Sequence, residues 1–263
     1  IPLYNKEAEI ERTLRSVLAQ TLQPIEIVIV DDGSTDHSCE RVEAINSPLI
    51  KLHRQANAGS AVARNRAIEL AQGEYIAMID ADDEWTPDYL AEIARLIALY
   101  PDCGGWCSGF DIVSEDGIFA GDTPQYEGVL AGEEYFAEAM KRYVCITSAT
   151  TIARHVFDEV GGFPVGMRMG QDTYMWVKLA RNYKVATTPK RLCRYNRAAQ
   201  NRTPSIYRGD DGTASFRDFY TAGREPMLDE YAARIGLSRA IIISAKGGTE
   251  EARDTEQFFS YTK

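Results

Sequence analysis

The strongest constraint in this chain is the run Ile25-Glu26-Ile27-Val28-Ile29-Val30, almost wholly apolar and β-branched, which stops abruptly at Asp31-Asp32-Gly33-Ser34. A half-exposed strand alternates apolar and polar residues. A run that does not alternate predicts a strand buried on both faces, and that needs helices packed above and below it. The flanks supply them. Ile10, Leu14, Val17 and Leu18 predict a helix over 7–19. Further helices are predicted over 38–45 and 60–71, and from the Thr86-Pro87 start signal on to Leu99. Strands are predicted over 49–54 and 75–79, and the chain opens inside a first strand at Ile1-Pro2-Leu3. This alternation predicts an α/β fold, a mostly parallel, doubly wound sheet with helices on both faces. Ligands of such sheets gather at the carboxyl ends of strands, which here carry Tyr4-Asn5, Asp31-Asp32 and Asp80-Ala81-Asp82.

After Pro101 the rhythm changes. A strand over 106–113, a helix over 133–143, a strand over 147–153 and a helix over 155–160 stopped by Gly161-Gly162 are predicted next. A helix over 171–182 and short strands over 184–187 and 191–195 complete a smaller lobe. Residues 1–200 are therefore expected to form one domain, with halves 1–105 and 106–200. A partly helical C-terminal appendage is expected over 201–263, with a loop at Gly209-Asp210-Asp211-Gly212, a helix over 225–235 and an edge strand over 239–244.

Several function classes are disfavoured. A net charge of −10 argues against nucleic acid as a partner. No apolar run approaches the roughly 18 residues of a membrane span, and no signal peptide is visible, though the chain opens at Ile1 without a methionine, which leaves an upstream piece open. The cysteine usage predicts a reducing, cytoplasmic setting. The five cysteines are scattered and read as buried thiols, and no cysteine or histidine spacing suits zinc. Glycine-rich dinucleotide and P-loop fingerprints are missing, as is a G-x-S-x-G elbow.

Asp80, Asp82 and Asp83 form an acidic knot that makes sense either around a hard divalent cation or as a turn capping the next helix. Asp31 and Asp32 read as acceptors for ribose hydroxyls or a base N–H, or as a plain strand-to-helix turn. Arg64, on the helix after Asn57-Ala58-Gly59, either holds an aspartate in place or touches a nucleotide. Tyr4 either stacks on a base or lines the core. Asp172, just after Gly170-Gln171, is a helix cap or a general base.

Taken together and in order, these pieces resemble family 2 glycosyltransferases of the GT-A fold, which are inverting and use nucleotide sugars. The resemblance runs through Pro2-Leu3-Tyr4-Asn5, Val30 to Asp36, Asn57-Ala58-Gly59, Ala63-Arg64-Asn65 and Gly73 to Ile76. It continues through Asp80 to Trp85, Gly161-Gly162-Phe163 and Gly170-Gln171-Asp172, covering roughly residues 1–200. It implies a nucleoside pocket at Pro2, Tyr4 and Asp32, with Asp31, Asn57, Gly59 and Arg64 close by. It also implies a D-x-D motif at Asp80-Ala81-Asp82. There Asp80 faces the ribose, and Asp82 faces a Mn²⁺ or Mg²⁺ ion on the diphosphate of a UDP-sugar. Asp172 is the implied base that deprotonates a hydroxyl of a glycan or lipid-linked acceptor, in a setting of cell-surface polysaccharide synthesis. Two departures stand out. Gln171 replaces the family's usual glutamate, and no histidine follows the base lobe, where Gln200 or Asn201 stands in.

Between Thr173 and Gly209 lie nine Lys/Arg and no acids, a basic strip over 178–208 expected to close over the diphosphate or to face anionic lipid at the inner face of a membrane. Two rival readings are a nucleotidyltransferase that makes nucleotide sugars and a noncatalytic nucleotide-sugar-binding module.

Overall fold

The computed structural model describes residues 1–167, 169–199, 215–245 and 247–259. In chain order the elements are β1 (Pro2–Leu3), α1 (Ile10–Leu18), β2 (Ile27–Asp31), α2 (Ser38–Glu43), β3 (Ile50–Arg54), α3 (Ser60–Leu70), β4 (Tyr75–Ala77), β5 (Glu84–Trp85) and α4 (Tyr89–Leu99). The second half adds β6 (Cys103–Ser114), β7 (Gly117–Ala120), β8 (Gly128–Leu130), α5 (Glu133–Ala139), β9 (Thr150–Ala153), α6 (Arg154–Val160), α7 (Gln171–Asn182), β10 (Lys184–Asn196), α8 (Pro226–Ala245) and α9 (Thr249–Phe258).

The α/β architecture is as expected, and every residue of β2 is buried. Strands β1, β2 and β3 form a parallel three-stranded sheet. A seven-stranded sheet runs β4-β9-β6-β10-β5, with β7 on β6 and β8 on β10. Here only the β6–β10 pair is parallel; the other pairs are antiparallel, so the sheets together are mixed. This differs from the mostly parallel sheet that the sequence predicts, because residue periodicity reports burial and not the direction of a partner strand.

Two element readings change. The two short strands expected over 184–187 and 191–195 are one strand, β10, whose register shifts between Thr188 and Arg191. Pro189 sits there and has no N–H to give to the ladder. The edge strand expected over 239–244 lies inside the helix α8. Its residues Leu228, Ala232, Gly236, Ala240 and Ile243 are buried at helical spacing. Tertiary burial overrides the β-preference of Ile241-Ile242-Ile243.

Phe216, Phe219, Leu228, Tyr231 and Phe259 of the C-terminal segment belong to the same core as α7, β6 and β9. A cavity of about 440 Å³ lies between the two sheets, with Ile27, Ile68, Met78 and Ile93 among its apolar walls; Arg64 is one of its few polar linings. All five cysteines are free and buried. Among the described residues, no helix is long and apolar enough to cross a membrane.

Candidate active site

The end of β1 and the end of β2 lie side by side, because Pro2 pairs with Val30 and Leu3 with Asp31. The backbone then turns through Asn5 at φ 48°, a conformation asparagine tolerates better than most residues. Asn5 holds it by accepting Thr35 N–H at 2.7 Å, while its own N–H goes to Ser34 Oγ at 3.0 Å. Tyr4, at the head of this turn, is 41% exposed. Buried Asp31 accepts Ser34 N–H at 3.2 Å.

Asp32 does something periodicity does not announce. Its carboxylate, 3% exposed, accepts three donors from its own chain: Gln55 Nε2 at 2.8 Å, Ala58 N–H at 2.9 Å and Gly59 N–H at 2.8 Å. Asn57 Nδ2 adds a bond to the Asp32 carbonyl at 2.9 Å. Asp32 thereby shapes the loop that enters α3, where Gly59 adopts φ 93° with open space around it.

The acidic turn after β4 is clamped from several sides. Thr13 Oγ1 of α1 reaches the carbonyls of Ala81 at 3.0 Å and Asp83 at 2.8 Å. Arg12 donates to the Asp82 carbonyl at 3.1 Å and pairs with Glu84 at 3.0 Å. Ser148 Oγ accepts Asp80 N–H at 3.0 Å and donates to the Asp83 carboxylate, which also takes Asn196 N–H at 2.8 Å from the end of β10. Burial, with repulsion from Asp80 and Asp82, pushes the Asp83 carboxyl well above its usual range. Asp83 thus ties the acidic turn to Ser148 and to the end of β10. The polar Thr13 on the otherwise apolar face of α1 was the one sequence signal for this clamp.

Asp80 and Asp82 each carry an internal cation. Arg64 Nη2 lies 2.7 Å from Asp80 Oδ1, a contact that holds this aspartate in place. Lys6 Nζ lies 2.8 Å from Asp82 Oδ2, a pairing across 76 residues that sequence reasoning missed. Burial and then repulsion from Asp80 raise the Asp82 carboxyl, against the pull of Lys6. Burial alone would lower the Arg64 guanidinium, yet Asp80, Asp172 and Asp82 together raise it. One buried cation therefore feels the acidic turn and the α7 aspartate at once. Arg64 also lies 5.4 Å from the Phe163 ring centre. Phe163 is fixed by Asn65, which accepts its N–H at 2.8 Å and donates to its carbonyl at 2.9 Å. That clamp needs Gly162, where a Cβ would fall 2.3 Å from Asn65 Oδ1.

Asp172 stands in the first turn of α7, half-buried, accepting Thr173 N–H at 2.8 Å. Beside it, Gln171 Nε2 donates to Ser60 Oγ of α3 at 2.6 Å and joins the two halves of the site. Of the basic strip, Lys178 bonds the Gly162 carbonyl, and Arg181, Lys190 and Arg191 pair with Glu225, Glu92 and Asp111. Lys184 and Arg194 are exposed. Gln200, Asn201, Arg202, Arg208 and the loop at 209–212 lie outside the described residues.

The donor set suits a hard divalent cation. Arg64 and Lys6 each hydrogen-bond one oxygen of Asp80 and Asp82, leaving a second carboxylate oxygen on each. Magnesium-type sites commonly use one or two carboxylates and take the remaining oxygens from water and phosphate. Among the described residues, no group of three or more His, Cys, Asp or Glu is arranged to hold a metal by itself.

Comparison with known proteins accords with this geometry. Residues 1–161 match the model of glycosyl transferase family 2. The glycosyltransferase YibD of Escherichia coli K12, itself uncharacterised, is 44% identical over 115 residues, 41% of this chain and 33% of that protein. TuaG of Bacillus subtilis strain 168, a glycosyltransferase ascribed to teichuronic acid biosynthesis, is 31% identical over 185 residues, 68% of this chain and 70% of that protein. The crystal structure of S. aureus TarS 1-349 with UDP-GlcNAc superposes with a TM-score of 0.76 at 20% identity, covering 100% of this chain and 80% of that one. The match to TarS bears on the fold, which is the GT-A fold expected. With more than half of its length matched by the family model, the chain belongs to glycosyl transferase family 2.

Proposed function

We propose that this chain is an inverting glycosyltransferase that moves one sugar from a nucleotide diphosphate sugar onto a hydroxyl of a glycan or lipid-linked acceptor in cell-surface polysaccharide synthesis. The observation that carries the reading is that α3 joins the acidic turn to the start of α7: its Arg64 bonds Asp80 at 2.7 Å, and its Ser60 accepts from Gln171, the neighbour of Asp172, at 2.6 Å. TarS crystallised with UDP-GlcNAc, which supports a UDP-sugar donor, and TuaG is ascribed to teichuronic acid biosynthesis, which supports a polysaccharide setting.

In this reading Pro2, Tyr4 and Asp31 face the nucleoside, and Asp32 keeps Asn57 to Gly59 in shape to receive it. Asp80 and Ala81 border the ribose. Asp80 and Asp82 would hold Mn²⁺ or Mg²⁺, which neutralises charge on the leaving diphosphate when bound. Asp172 accepts the acceptor hydroxyl's proton as that oxygen bonds to the anomeric carbon. The bond from that carbon to the diphosphate oxygen breaks, and its electron pair leaves with the diphosphate. A single displacement of this kind inverts the anomeric centre. Arg64 holds Asp80 in place throughout. The exposed Lys184 and Arg194 of the basic strip bring the enzyme to an anionic lipid surface bearing the acceptor.

The test is transfer from a panel of UDP-sugars to a mixed glycan and lipid-linked acceptor pool, with the anomeric configuration read by NMR. An inverted product, lost in Asp172→Asn while UDP still binds, is the expected result. A retained configuration, or full transfer by Asp172→Asn, contradicts it.

A further inference from the structure

Residues 215–245 are seated on α5 and α7 by specific contacts. A short helical turn at Phe216–Phe219 meets the start of α7. The Phe219 ring lies 4.5 Å from that of Tyr174, whose hydroxyl donates to Asp218 at 3.0 Å. A Cβ on Gly170, the residue before α7, would stand 3.4 Å from the Phe216 ring. On the other side, Glu133 of α5 accepts Met227 N–H at 2.7 Å, and Arg234 reaches the Met140 carbonyl. This placement carries Tyr231 of α8 inward, 8% exposed, with its ring 5.7 Å from Phe136. The Tyr231 hydroxyl makes no hydrogen bond among the described residues, yet its oxygen is not sealed off from the surface. Buried polar groups rarely lack a partner. Burial pushes that hydroxyl up, and Cys145, Asp172 and Tyr143 push it further against Arg234. It therefore stays a protonated donor, with the α7 aspartate as an electrostatic neighbour.

Tyr143 is 55% exposed but held in place. Its N–H goes to the Asp122 carbonyl at 2.9 Å, and its ring stands edge-on to Phe110 with centres 6.0 Å apart. Phe110 also carries Tyr195, 6.2 Å away, and the next residue, Asn196, gives its N–H to Asp83. A row of rings thus leads from the acidic turn to Tyr143. A pyranose has an apolar C–H face and a rim of hydroxyls, so it is bound by a fixed aromatic ring together with hydrogen-bonding groups. We infer that Tyr143 and Tyr231 form a subsite for a sugar ring of the acceptor. The Tyr143 ring packs on the C–H face, and the Tyr231 hydroxyl donates to a sugar oxygen on the Asp172 side. This rests on the reading of Asp172 as the base for the acceptor hydroxyl. It gives the C-terminal segment a part in the reaction, because α8 supplies one of the two tyrosines. A bare lipid tail would use neither the phenol nor the carboxylate.

The experiment is saturation-transfer NMR on the full chain with UDP and Mg²⁺ present. The probes are the methyl glycosides of glucose, galactose, mannose, N-acetylglucosamine and N-acetylgalactosamine. Wild type, Tyr143→Ala and Tyr231→Phe are compared, and UDP affinity is measured on the same samples by calorimetry. Wild type is expected to saturate the ring C–H protons of at least one glycoside. Tyr143→Ala should weaken that binding about tenfold by removing the ring. Tyr231→Phe keeps the ring and should weaken it about fivefold by removing one hydrogen bond. UDP affinity should stay within about twofold of wild type in both, since neither tyrosine touches the donor side. No glycoside bound by wild type, or unchanged glycoside affinity in either variant, overturns the inference. If Tyr231→Phe does not fold, the exposed Tyr143 decides. The two readings fail differently. UDP binding with metal but no glycoside binding overturns the subsite alone. Glycoside binding through the tyrosines, with no UDP bound even with Mg²⁺, overturns the donor site.

Discussion

Asp32→Asn should destabilise the protein without any ligand, because the carboxylate already accepts three hydrogen bonds from its own chain. Oδ1 accepts Gln55 Nε2 and Ala58 N–H, and Oδ2 accepts Gly59 N–H, all within 2.8–2.9 Å. An asparagine keeps one acceptor oxygen and turns an NH₂ toward one of these donors. One charge-assisted bond is lost, worth about 1.5–3 kcal/mol, and a donor is stranded in a site only 3% exposed. The two surviving bonds lose their ionic partner and weaken. The sum is about 3 kcal/mol. For a chain of this size that lowers the melting midpoint by roughly 6–12 °C. Thermal unfolding without nucleotide or metal is the assay, and UDP affinity should fall in parallel because the Asn57 to Gly59 loop loses its anchor. A midpoint within about 2 °C of wild type would refute the reasoning and return Asp32 to a purely ligand-facing role.

Other consequences follow from single contacts. Gly162→Ala places a Cβ 2.3 Å from Asn65 Oδ1 and should cost about 1–3 kcal/mol in urea unfolding, loosening Phe163 beneath Arg64; unchanged stability would show that the clamp yields freely. Glu92, with a side chain 5% exposed, is drawn down from 4.5 to about 2, chiefly by the Arg95 hydrogen bond, against burial and with help from Lys190 and Thr188. Its folded value lies below its unfolded one, so its stabilisation is full above pH 4.5 and is lost as pH falls towards 2. Glu92→Gln should therefore flatten the acid limb of a stability–pH profile in that window, and a parallel profile contradicts this. Co-sedimentation at low salt should favour anionic over neutral vesicles, and equal binding removes the lipid-surface role from Lys184 and Arg194.

The first half of the chain is the more legible in the sequence because its signals are local. The apolar run of β2 ends on two aspartates, and strand-end logic puts Asp31, Asp32, Asp80 and Asp82 at or just beyond the ends of strands without any knowledge of contacts, although the single sheet edge expected for them is divided between two sheets. What stayed hidden is what distant residues do to those side chains. Nothing near Asp32 announces that Gln55 and the Ala58 and Gly59 amides fill its acceptor positions. Lys6 reads as one more polar residue in a turn until the fold brings it to Asp82. Ile241 to Ile243 mislead for a related reason: local β-preference is real, yet Gly236 admits Phe259 against α8 and the helix wins through packing. Asp172 stands out in the sequence by its place beside Gly170-Gln171, while its pull on the Arg64 guanidinium emerges only from the fold.

The most direct measurement is a calorimetric titration of UDP into wild type and Asp82→Ala, each with and without Mn²⁺. The account predicts binding to wild type that depends on the metal, and loss of that dependence in Asp82→Ala. If no uridine, thymidine or guanosine diphosphate binds wild type with Mn²⁺ present, the acidic edge is not a nucleotide-sugar site and the proposed reaction is wrong.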